Sequence, residues 1–102
     1  MSRLDELNDI CAKLDPERRT LIIPILTEIV FMEQRLTNLR KLPHLRIHPK
    51  NPARQEITPA GKQYKETMQA YLNAIKVVHM AISRQETNAA DELMNKLKEF
   101  EL

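Results

Sequence analysis

The chain has 102 residues, 42% of them hydrophobic, with one Gly, six Pro, one Cys, no Trp, two Tyr and two Phe, and it carries 16 basic against 14 acidic side chains. That is one domain at most, with a modest core. A single Gly, where average usage gives about seven, leaves little for tight hairpins, phosphate-cradling loops or a nucleotide-binding turn, and predicts an all-α fold with few connections.

Ser2 followed three residues later by Asp5 resembles a capping box, and Leu4, Leu7, Ile10, Cys11 and Leu14 recur at helical spacing. A short first helix over residues 3–14 is expected. Asp15-Pro16-Glu17 then marks a helix start, because Asp caps free amides, Pro loses nothing at the first helical position and Glu suits the positive end of the dipole. In this second helix, 16–42, Ile22, Ile25, Ile29, Met32, Leu36 and Leu39 form a heptad-like seam. Pro24 inside it predicts a kink or break near residues 20–24.

Residues 43–58 change character, because Pro43, Pro49, Pro52 and the following Pro59 forbid a regular helix. With no Gly or Ser, and with Leu45, Ile47 and Ile57 as anchors, this basic stretch reads as an ordered, partly extended connection. Thr58-Pro59 repeats the cap-then-proline signal and opens a third helix, 59–83, in which Tyr64, Met68, Tyr71, Ile75, Val78 and Ile82 make a second seam. Two helices of matching length predict a long antiparallel helical hairpin, whose seam residues Ile25, Ile29, Met32, Leu36, Tyr64, Met68, Tyr71, Ile75 and Val78 serve either the intrachain core or a subunit interface. A C-terminal amphipathic helix over 88–101, with a Leu93, Leu97, Phe100 stripe, offers a surface for a partner.

The net charge of +2 conceals a segregation: residues 1–34 sum to −3, residues 35–65 to +7 and residues 66–102 to −2. Arg35, Arg40, Lys41, Arg46, Lys50, Arg54, Lys62 and Lys65 cluster about the connection with His44 and His48. Lys and Arg on a proline-stiffened loop suit phosphate contacts, while the plainer alternative is a solvated basic loop.

Nothing catalytic is expected. His44, His48 and His79 have no Cys or carboxylate at ligand spacing, so no metal and no cofactor are predicted. Cys11, on an apolar helix face, excludes an internal disulfide and a cysteine-rich zinc site and suits a buried thiol. Tyr64 and Tyr71 share their face with Met68, Ile75 and Val78, so core packing outweighs stacking on bases. No GxxxxGK[ST], GxGxxG or HExxH is present. The acidic opening Asp5-Glu6 is unlike a signal peptide and no segment approaches the roughly 18 apolar residues of a membrane span, so a cytoplasmic protein without membrane contact is expected.

The string His48-Pro49-Lys50-Asn51-Pro52-Ala53-Arg54-Gln55-Glu56-Ile57-Thr58-Pro59-Ala60-Gly61-Lys62-Gln63-Tyr64-Lys65 resembles the corresponding stretch of short bacteriophage terminase small subunits, where an Asn-Pro-Ala step precedes a helix bearing a Lys-Gln pair. The resemblance covers residues 28–80. It implies a non-enzymatic viral DNA-packaging protein in the host cytoplasm, a homo-oligomer (in that family a ring) that binds double-stranded DNA and regulates the large terminase subunit. On that reading Arg40, Lys41, Arg46, Lys50, Arg54 and Lys62 contact phosphates, Asn51 positions the turn, and Leu93, Leu97 and Phe100 face the large subunit. The alternative is a small helical adaptor or regulator that binds another protein through one seam and never touches nucleic acid.

Overall fold

A computed structural model of the chain describes residues 1–82 and 88–100. In chain order it has helices α1 (Arg3–Cys11) and α2 (Pro16–Arg40), strands β1 (Leu45–His48) and β2 (Asn51–Ile57), and helices α3 (Pro59–Ile82) and α4 (Asn88–Lys98). The expected all-α fold is therefore corrected. The proline-rich connection is a β-hairpin inserted between two long helices. Expected position 83 of the third helix and position 101 of the last lie outside the described residues.

Local chemistry sets the boundaries. Ser2 and Asp5 form the reciprocal capping box of α1, with the Ser2 hydroxyl accepting from the Asp5 amide at 3.1 Å and the Asp5 carboxylate accepting from the Ser2 amide at 3.1 Å. The α1 helix stops at Cys11, short of the expected 14, yet Leu14 remains buried in the core. Asp15 caps α2 by accepting from the Arg18 amide at 3.0 Å, and Pro16 occupies the first turn. No break occurs at Pro24: α2 is one helix of 25 residues. Pro24 and Thr20 are both exposed, so the carbonyl deprived of its donor faces water.

The antiparallel course of α2 and α3 follows from three hydrogen bonds in reversed order. The Arg18 guanidinium donates to the Ala81 carbonyl at 3.0 Å, the Tyr71 hydroxyl to Glu33 at 2.9 Å, and the Thr58 hydroxyl to the Pro43 carbonyl at 2.6 Å. The α1 and α4 helices flank the half of this pair remote from the hairpin. Beyond Glu33 and Tyr71, α2 and α3 continue as a two-helix neck to the hairpin. The molecule measures 60 × 28 × 19 Å, with a radius of gyration of 17.4 Å, against about 13 Å for a compact chain of this length.

The buried stripe of α2 is Ile22, Leu26, Ile29, Glu33, Leu36 and Leu39. Four of its six residues, Ile22, Ile29, Leu36 and Leu39, are those of the expected seam; the other two differ by one position, Leu26 and Glu33 taking the places assigned to Ile25 and Met32, which are half-buried at its margin. Ile29, Leu36, Tyr71 and Val78 lie in the chain's own core, with Tyr64, Met68 and Ile75 packed against it. The stripe expected to serve a partner is also used internally. Leu93 and Leu97 are buried, and the Phe100 ring lies 5.5 Å from that of Tyr71, because α4 packs across α1 and α3 and fills its apolar face there.

Candidate nucleic-acid interface

The end of the molecule carrying the basic excess is built on a short set of backbone bonds. The α2 helix ends at Arg40 and is capped by Lys41. Thr58 then closes the root of the hairpin in three ways. Its amide donates to the His44 carbonyl at 3.0 Å, its hydroxyl donates to the Pro43 carbonyl, and the same oxygen caps α3 by accepting from the Gly61 amide at 3.0 Å. Gly61 is required by this closure: a Cβ there would stand 2.5 Å from the His44 carbonyl oxygen. The His44 ring lies 4.8 Å from that of Tyr64, and its Nε2 is 3.0 Å from the Leu39 carbonyl oxygen.

The strands pair Leu45 with Ile57, Arg46 with Glu56, Ile47 with Gln55 and His48 with Asn51, with a register shift between Ile47 and His48. The closing turn, Pro49-Lys50, contains no glycine. Among the described residues no backbone φ is positive, so the primed turns that match strand twist are absent, and the bulge takes up the mismatch. Asn51 follows the turn, and its Oδ1 accepts from the Ala53 amide at 3.3 Å within the irregular part of β2.

Directly opposed residues share a face, so the ribbon is amphipathic. Leu45, Ile47 and Ile57 lie on one face, each more than half exposed at 56%, 59% and 56%. Arg46, Arg54 and Glu56 lie on the other, Arg54 and Glu56 forming an ion pair at 3.6 Å. Arg40, Lys41, Arg46, Lys50, Asn51, Arg54 and Lys62 are all exposed, and the topology brings them to one end, with Arg35 and Lys65 on the neck behind them. Glu56 is the one carboxylate that residues 35–65 contribute.

The most buried charge lies elsewhere. Glu33, 3% exposed, accepts from Arg3 through both oxygens and from the Tyr71 hydroxyl. Arg3 also donates to the Lys96 and Leu97 carbonyls at 3.2 and 3.4 Å, so one guanidinium joins the start of α1, the middle of α2 and the end of α4. The hydrogen bond to Glu33 raises the Arg3 pKa further, and burial, followed by the Glu33 charge, pushes the Tyr71 hydroxyl well above its ordinary value. Sequence reasoning misses this clamp. A Glu at a seam position flanked by Ile29 and Leu36 is the signal that marks it.

Cys11 is a free, buried thiol whose pKa is raised by desolvation. His79 lies exposed on α3 beside a groove to α4, lined also by Lys76, Asp91 and Lys98. Among the described residues no three His, Cys, Asp or Glu side chains come together as a metal site, and no helix is long and apolar enough to cross a membrane. No family model matches the chain, and neither a curated protein nor a solved structure is detectably similar to it.

Proposed function

We propose that the chain is a non-enzymatic DNA-packaging factor of the terminase small-subunit kind, which assembles with copies of itself and contacts double-stranded DNA through its β-hairpin end. The observation that carries the reading is the gathering of Arg40, Lys41, Arg46, Lys50, Arg54 and Lys62, all exposed, on and around one stiff ribbon. The rest of the chain is net acidic. A patch of this kind neutralises phosphates without base readout. The packaging role and the large terminase subunit as partner rest on the resemblance of residues 48–65.

Self-association is supported by surface area. The chain exposes 7215 Å², against about 5,900 Å² for a compact monomer of its mass. That excess is larger than the roughly 800 Å² a partner contributes to a standard interface. Phe31, Leu72 and Met80, at 57%, 58% and 64% exposure, are among the large apolar side chains left exposed on the two long helices.

The test is duplex binding across a salt series together with mass in solution. An assembly whose affinity falls steeply with salt is expected, and replacing Arg46, Lys50 and Arg54 with Ala should reduce the log–log slope by about 0.9 for each phosphate no longer neutralised. A monomer with no salt-dependent binding refutes the reading.

A further inference from the structure

We propose that the β-hairpin is a minor-groove wedge: it lays Leu45, Ile47 and Ile57 against the groove, sends Arg46 and Arg54 to the flanking phosphates, and bends the duplex. The proposal rests on the DNA-binding reading above and specifies how that end engages its ligand.

The two faces of the ribbon differ in kind, one aliphatic and one charged. A two-stranded hairpin is marginal in water by itself, and this one holds three large aliphatic side chains more than half exposed on one face. Its surroundings are strongly cationic. One partner must therefore cover apolar surface and neutralise charge within the width of a single ribbon. Duplex DNA offers both in its minor groove, where sugar walls and base edges lie between two phosphate rims, and where Leu, Ile and Pro side chains are used to open base steps. Docking in the major groove by the Arg46 and Arg54 face would leave Leu45, Ile47 and Ile57 in water. In the minor groove the long Arg side chains of the upper face reach round the strand edges to phosphate, as their flexible stems allow.

A wedge must also be stiff. Pro49 fixes one torsion of the closing turn, and the Asn51 side chain accepts from the Ala53 amide where β2 leaves the turn. The root is held by the Thr58 bonds to His44, Pro43 and Gly61, and by the close approach of Gly61 to the His44 carbonyl. The β1 strand has four residues, so the paired ribbon runs about 13 Å, roughly four base steps. A ribbon anchored in this way loses little further freedom on binding.

The experiment uses the full chain and a duplex of about 30 base pairs carrying a donor and an acceptor dye at its two ends. Binding should bring the ends closer, and netropsin, which occupies the minor groove, should displace the protein. Ile47→Ala, at an exposed position that leaves the fold intact, should keep the salt slope, lose the bend and weaken binding about tenfold. A duplex that is bound but stays straight, or binding that ignores netropsin, overturns the wedge while leaving DNA binding in place. Absence of duplex binding overturns both. If Ile47→Ala instead dissociates an assembly into single chains, the apolar face belongs to a second copy and the wedge is refuted.

Discussion

The Tyr71 hydroxyl donates to Glu33 Oε2 at 2.9 Å, so a residue of α3 and a residue of α2 share one buried carboxylate that Arg3 holds from the other side. Removing the charge from this arrangement leaves a guanidinium without its counter-ion. Loss of one partner of a buried pair costs roughly 3–5 kcal/mol, and because the Arg3 side chain is 25% exposed a smaller cost, about 2–3 kcal/mol, is expected for Glu33→Gln. Urea unfolding should show a lower midpoint with an unchanged slope. Tyr71→Phe, which removes one donor while Arg3 remains, should cost about 1–2 kcal/mol.

Gly61→Ala should destabilise the junction between hairpin and helix. The added methyl meets backbone, the His44 carbonyl, and backbone held by the Thr58 amide cannot step aside cheaply. An overpacking cost of about 1–3 kcal/mol is expected in thermal unfolding, and amide exchange should rise first in residues 44–58. The Thr58→Ala cap loss, about 1 kcal/mol, is the comparison that separates crowding from lost hydrogen bonding.

Stability should fall at alkaline pH. Burial first, and then the Glu33 charge, raise the Tyr71 pKa in the folded chain, so above the ordinary Tyr value of about 10 the unfolded chain releases a proton that the folded one keeps. Unfolding is then increasingly favoured as pH rises. Cys11, raised by burial, acts in the same direction from slightly lower pH. Melting temperature measured from about pH 8 to 11 should drop most steeply above about pH 10 in the native chain and less steeply in Tyr71→Phe.

Pro24→Ala should stabilise the protein. The α2 helix passes through Pro24 with one backbone bond missing on its wet side, and an interior Pro costs about 3 kcal/mol relative to Ala. Part of that is offset because Pro restrains the unfolded chain by about 0.4–1 kcal/mol. A net gain of about 1–2 kcal/mol should appear as a melting temperature higher by several degrees.

Helix starts are legible in the sequence because they are chemical: the Ser2 box, Asp15-Pro16 and Thr58-Pro59 each satisfy free amides in a way that residue type alone reveals. The β-hairpin is not, because the usual signal, a glycine-bearing turn, is replaced by Pro49-Lys50 plus a bulge. Apolar spacing places four of the six α2 stripe residues and misses Leu26 and Glu33 by one position each, since Ile25 and Leu26 are adjacent and equally apolar. Only the tertiary partner of Glu33 decides which of the two rows turns inward. The basic residues are readable as a group, yet their division from Leu45, Ile47 and Ile57 on opposite faces needs the strand register.

Because Arg3 reaches both Glu33 and the end of α4, the first residues of α1 and the last of α4 emerge at the top of the four-helix body. From there the neck runs about seven helical residues, roughly 10 Å, to the end of α2. A fluorophore on Ser2 or beside Phe100 would therefore stand about one neck's length from the root of the basic ribbon, on the side of the body nearer a bound duplex. The same dye on Lys13 would stand at the opposite pole and report only tumbling.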